Sequence, residues 1–230
     1  LEGDTALLLL ARQRIEALNR KYPDPDGQRF FLFHRPRRWN AQDQLWMGYE
    51  RKRGKIAEFN ALLRGQGAER FALIVGDLQS LPAVRYVITL DTDSQLPRDA
   101  AWQFIATMAH PLNHPVFDPE KQRVTRGYGI LQPRVGISLP STARSAYARL
   151  FGSDAGIDPY TRSVSDVYQD VFQQGSFIGK GIYAVDAFEQ AVDGRFADNS
   201  ILSHDLIEGC FARAGLLSDV QLYEEYPARY

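Results

Sequence analysis

The spacing of apolar residues changes several times along the chain, and each change marks a predicted element. In residues 4–22 (DTALLLLARQRIEALNRKY), Leu8, Ile15 and Leu18 recur at helical spacing. Asp4 stands ahead of them as an N-cap, so an amphipathic helix is predicted, ended by PDPDG at 23–27. Residues 29–34 (RFFLFH) form a short apolar run, predicted as a strand, and the basic segment RPRRWN follows it. Residues 48–64 (GYERKRGKIAEFNALLR) place Ile56, Phe59, Leu62 and Leu63 on one side of a second predicted helix. Residues 71–81 read as the connection into the next strand.

Residues 84–97 (VRYVITLDTDSQLP) organise the rest. Val84, Tyr86, Val87, Ile88, Thr89 and Leu90 are β-branched, aromatic or aliphatic, and Pro82 and Pro97 bracket them, which predicts a short, fully buried strand. Beyond it, Asp99 is expected to cap a helix to residue 109, and 110–122 reads as a proline-punctuated loop. Residues 129–135 (GILQPRV) predict a strand whose Pro133 implies a sheet edge or a strand end. A helix is expected over 141–151, and 152–173 is polar, turn-rich and aromatic, in the manner of acceptor-side loops. Three glycines in 175–185 (GSFIGKGIYAV) imply backbone close to a ligand or a tight turn. Asp186 is expected to cap a helix through residue 192. Ser203 is expected to cap the last one, SHDLIEGCFARAG, closed by Gly215. Strands alternating with helices place the chain in the α/β class, with helices flanking a sheet.

Composition narrows the function classes more than the fold. The chain has 230 residues, enough for one large domain or two small ones, with 44% apolar and 24% charged residues, an ordinary globular balance. A formal net charge of −1 supplies no global field for nucleic acid or an anionic membrane. The single cysteine, Cys210, rules out a disulfide framework within the chain and suits a reducing compartment. The longest apolar run, 6–11, is far short of a membrane span. The first residues lack the basic region and cleavage site of a signal peptide, and the chain opens without Met, so a piece of a longer polypeptide is expected.

Three constellations carry candidate chemistry. Asp91 and Asp93 stand one residue apart at the carboxyl end of the organising strand, where ligands collect in open α/β sheets. A D-x-D there offers hard oxygen ligands to a divalent ion holding a phosphate ester, while the plainer reading is two acids in a strand-ending turn. His204 and Asp205 open a predicted helix, where the dipole and free backbone N–H groups keep a carboxylate ionised, as a general base requires; the alternative is a merely favourable first-turn acid. Arg51, Lys52, Arg53 and Lys55 crowd another helix start, a site that fits an anion such as a diphosphate, or a solvated basic turn paired with Glu50 and Glu58. Arg35, Arg37 and Arg38 beside Trp39 make a weak case for nucleic acid without a supporting motif. The four histidines and Cys210 fall at no zinc spacing, and no P-loop, G-x-G-x-x-G or G-x-S-x-G motif is present.

Taken in order, RFFLFHRPRRWN, WMGYERKRGKIAEFNALLRG, YVITLDTDSQLPRDAAWQ, GILQPRV, QGSFIGKGIYAVDAFEQA and ILSHDLIEG resemble the glycosyltransferase domain of the cyclic β-1,2-glucan synthases, carbohydrate-active family 84, related to family-2 transferases. The resemblance implies a GT-A-like mixed sheet flanked by helices, and glucose transfer from UDP-glucose to a growing β-1,2-glucan acceptor. It places the work at the cytoplasmic face of a bacterial inner membrane, within a larger membrane-embedded polypeptide, with this segment itself soluble. It gives Asp91 and Asp93 the role of holding Mg²⁺ or Mn²⁺ on the diphosphate, and Asp205 that of base. Lys55 and Asn60 fall on the nucleotide side together with Asp91, and Gly175, Ser176, Phe177 and His204 on the acceptor side. An inverting displacement needs one metal-stabilised leaving group and one carboxylate to take the acceptor proton, and two separate acidic sites meet that division.

Two parts of the family pattern are missing from the 230 residues. The first nucleotide-binding strand is expected upstream of Leu1, and the Q-x-x-R-W-type segment beyond Tyr230, so 1–230 reads as one fragment of a catalytic domain that is inactive alone. A haloacid-dehalogenase-type phosphatase with Asp91 as nucleophile is the first rival, weakened by Gln95 at the fifth position of its motif. A non-catalytic nucleotide-sugar-binding module is the second. A calcium loop is weaker, because Leu96 stands where it needs glycine.

Overall fold

The computed structural model describes residues 2–151, 167–201 and 203–229 of the chain. They form a mixed α/β structure that divides into two compact units, residues 1–84 and 85–230.

In the first unit, helix α1 (Glu2–Lys21) packs on strand β1 (Leu32–His34) and on a later strand antiparallel to it. Asp4 lies inside α1 rather than capping it, and its carboxylate faces Arg37 at 3.5 Å. The Asn19 amide fixes the return of the chain, donating to the Phe30 carbonyl at 2.8 Å and accepting from its N–H at 3.0 Å. The basic segment folds into an unanticipated hairpin of β2 (Arg38–Asn40) and β3 (Leu45–Met47). Helix α2 (Arg51–Leu63) buries Ile56, Leu62 and Leu63 as its apolar spacing requires, while Phe59 meets the Phe33 ring at 5.4 Å. The segment expected as a plain connection contains β4 (Leu73–Val75), the antiparallel partner of β1.

The second unit is built on a four-stranded sheet. Its elements are β5 (Tyr86–Thr89), α3 (Ala100–Ala109), β6 (Val116–Asp118), β7 (Arg123–Arg126), β8 (Ile130–Ile137), α4 (Leu139–Thr142), α5 (Ala146–Phe151), α6 (Val167–Phe172), β9 (Gly181–Ala184), α7 (Val185–Val192), α8 (Asp205–Ala212) and β10 (Ala214–Glu224). The sheet order is β10-β8-β9-β5. Strands β8 and β10 are parallel, and β9 is antiparallel to both β8 and β5. The carboxyl ends of β5, β8 and β10 therefore share one sheet edge with the amino end of β9. Ala100, Phe104 and Met108 of α3 bury against Leu131, Ile182, Leu217 and Leu222. Tyr183, pointing to the opposite face from Ile182, sets its ring 4.7 Å from Phe188 of α7.

Several expectations are corrected. Strand β5 is an edge strand and only half-buried, not fully buried, because β9 covers just one of its sides. Pro133 sits within the central strand β8, not at an edge. Pairing to β9 ends two residues earlier, at Leu131, and the β10 register slips directly after Leu217, the partner of Pro133, so the ladders are interrupted on both sides of it. Asp99 stands at the start of α3 in a left-handed conformation without a capping bond, Asp186 is inside α7, and His204, not Ser203, precedes α8. The expected loop at 110–122 carries strand β6 of the β6–β7 hairpin, and the helix expected at 141–151 is split in two. Helix α8 ends at Ala212, with Arg213 left-handed behind it, and Gly215 belongs to β10. Of the polar stretch at 152–173, residues 152–166 lie outside the described residues, and 167–172 form α6.

Candidate functional site

The shared edge of the second sheet gathers most of the candidate residues of that unit. Asp91 follows β5 and enters a turn in which the Ser94 N–H donates to the Asp91 carbonyl at 3.1 Å. The Asp91 N–H donates to the Ser94 hydroxyl at 3.2 Å, and that hydroxyl donates to Glu224 Oε1 at 2.9 Å. The D-x-D turn is thereby tied to the end of β10, and a bridge between Gln95 and Tyr223 ties it a second time. Asp93 is exposed at the turn.

Lys180 enters this network from the start of β9. Its ammonium lies 2.8 Å from Glu224 Oε1 and 3.2 Å from Asp91 Oδ2, and its side chain is 13% exposed. Burial opposes its charge, but hydrogen bonding and attraction from Glu224, then Asp91, outweigh burial and hold its pKa above the ordinary lysine value. A positive charge is thus fixed beside the D-x-D turn throughout the neutral range. The Thr89 hydroxyl donates to the Gly179 carbonyl at 3.2 Å, which anchors the loop leading into β9.

On the other side of that loop stands Asp205, the first residue of α8. Gly179 has φ +85°, and a Cβ there would lie 2.7 Å from Asp205 Oδ1, so the backbone and the carboxylate meet where only glycine fits. The His204 Nδ1 lies 2.9 Å from Glu208 Oε2 and 3.6 Å from Asp205 Oδ1, neither contact aligned as a hydrogen bond. His204 and Glu208 are buried, Asp205 half-buried. Among the described residues these three form one group close enough to surround a single ion.

Gly175 donates its N–H to the Ala214 carbonyl at 2.7 Å and Ser176 is half-buried. Phe177 is buried, and a Cβ on Gly209 of α8 would stand 2.9 Å from its Cβ. The loop rests from below on Gln132 of β8, whose Oε1 accepts from the Ile178 N–H at 2.5 Å. Asp91, the 175–179 loop, His204 and Asp205 are therefore brought into one neighbourhood, with Gly179 and Lys180 in the middle.

Lys55 and Asn60 belong to the first unit, Lys55 exposed and Asn60 fully buried on α2. At that helix start Glu50 pairs with Arg53, and the pair is largely buried rather than solvated. Glu58 turns instead to Arg35 at 3.0 Å and Arg38 at 3.5 Å.

Sequence reasoning missed Lys180, Glu208 and Glu224. A lysine between two glycines ahead of a strand was a usable signal for the first. Glu208 falls four residues after His204, the spacing that puts both on one helix face. Nothing local marks Glu224, which ends a strand that the pattern did not reveal.

The chemistry of the D-x-D suits a hard divalent ion. Asp91 and Asp93 offer carboxylate oxygens at an open turn, and Mg²⁺ takes one or two such carboxylates, leaving its other positions to phosphate and water.

No protein-family model matches the chain. Over 229 residues, 99% of its length, it is 47% identical to the cyclic β-(1,2)-glucan synthase NdvB of Rhizobium meliloti (strain 1021). The chain spans 8% of that protein's length. It is related to one short stretch of a glucan synthase. Among the described residues no helix is long and apolar enough to cross a membrane.

Proposed function

We propose that the chain is part of the catalytic domain, of GT-A-like fold, of an inverting glucosyltransferase that builds cyclic β-1,2-glucan from UDP-glucose. The observation that carries this reading is the meeting of the D-x-D turn and the Asp205 carboxylate on opposite sides of Gly179 and Lys180, at one sheet edge. The relationship to a glucan synthase supplies the product class.

In this reading Asp91 and Asp93 hold Mg²⁺ or Mn²⁺ against the donor diphosphate. The ion, when bound, stabilises the charge that develops on the leaving UDP. Asp205 accepts the proton of the acceptor's 2-hydroxyl as that oxygen bonds to the glucose anomeric carbon and the bond to phosphate breaks, so inversion needs no second nucleophile. Asp205 opens α8, where the positive end of the helix dipole favours a carboxylate, and the Gly179 backbone closes against its side chain. Gly175, Ser176, Phe177 and His204 shape the acceptor side, Phe177 through packing on Gly209. Exposed Lys55 serves the nucleotide side, and buried Asn60 shapes the helix that carries it. The intact polypeptide works as a membrane-associated synthase at the cytoplasmic face.

The test is incorporation of labelled glucose from UDP-glucose into glucan by the full-length protein. Asp205→Asn is expected to lower kcat by about 10²–10⁴ with little change in the donor KM, the range for removing a general base. Wild-type turnover in that variant would remove Asp205 from the chemistry.

A further inference from the structure

Lys180 has no role in the reaction just described, yet it is the best-tethered charge at the site. It is nearly buried, reaches Asp91 from the loop that leads into β9, and is held on its other side by Glu224, itself fixed by Ser94. Such placement is costly for a lysine with a purely structural task, since a buried ion pair is weak evidence of stabilisation. The local charges offer a reason. The Lys180 ammonium sits between the Asp91 and Glu224 carboxylates, and Asp93 adds a third, exposed carboxylate to the same turn. A divalent ion on the D-x-D must share Asp91 with that ammonium, and a diphosphate arriving with the ion brings negative charge that the ammonium can take up.

We infer that Lys180 is a donor-binding residue that holds Asp91 when the site is empty and turns to the donor's diphosphate when a divalent ion takes Asp91. The inference rests on the D-x-D reading above. Lys180 opposes metal binding to the empty site and favours binding of the anionic nucleotide once the metal is present. Removing its charge therefore moves the two affinities in opposite directions, whereas a simple strut would weaken both together.

The experiment uses the purified full-length protein. Mn²⁺ binding without nucleotide is read by electron paramagnetic resonance, and UDP binding at saturating Mn²⁺ by calorimetry. Lys180→Met is expected to bind Mn²⁺ about tenfold more tightly and UDP about tenfold more weakly, the scale of one charge pair at a partly buried site. Lys180→Arg, which keeps the charge, is expected to recover most of the UDP affinity. A Lys180→Met protein in which both affinities fall, or neither changes, overturns the inference. Should Lys180→Met fail to fold, Glu224→Gln carries the test: it frees Lys180 for Asp91 and is expected to weaken Mn²⁺ binding, so unchanged or tighter binding overturns the inference. Asp93→Asn separates the two levels. If it abolishes Mn²⁺-dependent UDP binding while the Lys180 variants show no opposed shifts, only the role of Lys180 falls. If it binds UDP as the wild type does, the D-x-D reading falls, and this inference with it.

Discussion

Replacing Gly179 by alanine separates backbone strain from displacement of Asp205. The residue sits at φ +85°, and its new Cβ would lie 2.7 Å from Asp205 Oδ1 and 3.0 Å from its Cγ. Holding an alanine at positive φ costs about 1–2 kcal/mol. The contact falls about 0.7 Å short of ordinary van der Waals distance, and such overpacking adds about 1–3 kcal/mol. Gly194 supplies the control, since it has φ +67° and open space around its Cβ position, so Gly194→Ala carries the strain alone. Thermal unfolding is expected to drop by about 2–4 °C per kcal/mol in a chain of this size, and roughly twice as far in Gly179→Ala as in Gly194→Ala. Turnover of the full-length protein discriminates more sharply. A carboxylate pushed aside by several tenths of an ångström is expected to cost Gly179→Ala up to about 100-fold in kcat, while Gly194→Ala keeps wild-type turnover. A folded Gly179→Ala protein with undiminished kcat would show that Asp205 is not held in place for catalysis by this contact.

Three further outcomes follow from the packing and charges. Arg35→Ala leaves the buried Glu58 carboxylate with the more exposed Arg38 at 3.5 Å, and is expected to destabilise by about 3 kcal/mol; adding Glu58→Gln should recover part of the loss in denaturant titration. Arg213 is buried, donates to the carbonyls of Thr125 at 2.6 Å and Gln173 at 3.0 Å, and lies 5.4 Å from the Tyr128 ring. Its truncation to alanine removes the donor to both carbonyls and is expected to cost about 1–3 kcal/mol, read as a lower midpoint. Lys180 has a pKa raised by its folded partners, so its stabilising contribution is complete below the ordinary value of 10.5 and is lost as pH rises through the higher folded value. The stability gap between wild type and Lys180→Met should therefore be constant through neutral pH and close only in strong alkali.

What could be read from the chain was set by how local each signal is. Helices α1, α2, α3, α7 and α8 are visible because their apolar residues repeat within a few positions, although none of Asp4, Asp99, Asp186 and Ser203 supplies the capping bond expected of it. Strand β10 was invisible because Ser218 and Asp219 interrupt its apolar pattern where its register slips against β8. The run at 84–90 looks like a central strand, yet its place at the edge depends on β9, more than ninety residues later. The site divides the same way. Asp91 and Asp205 announce themselves by standing at the end of a strand and the start of a helix. Their neighbour Lys180 and its partner Glu224 acquire meaning only when three strand ends and the start of β9 meet at one edge.

The most direct measurement is calorimetric binding of UDP-glucose to the full-length protein with and without Mn²⁺, beside Asp93→Asn. The D-x-D metal site requires that binding depend on Mn²⁺ and disappear in the variant. Absence of UDP-glucose binding under both conditions, in a folded protein, would contradict it and leave Asp91 and Asp93 as acids of a strand-ending turn.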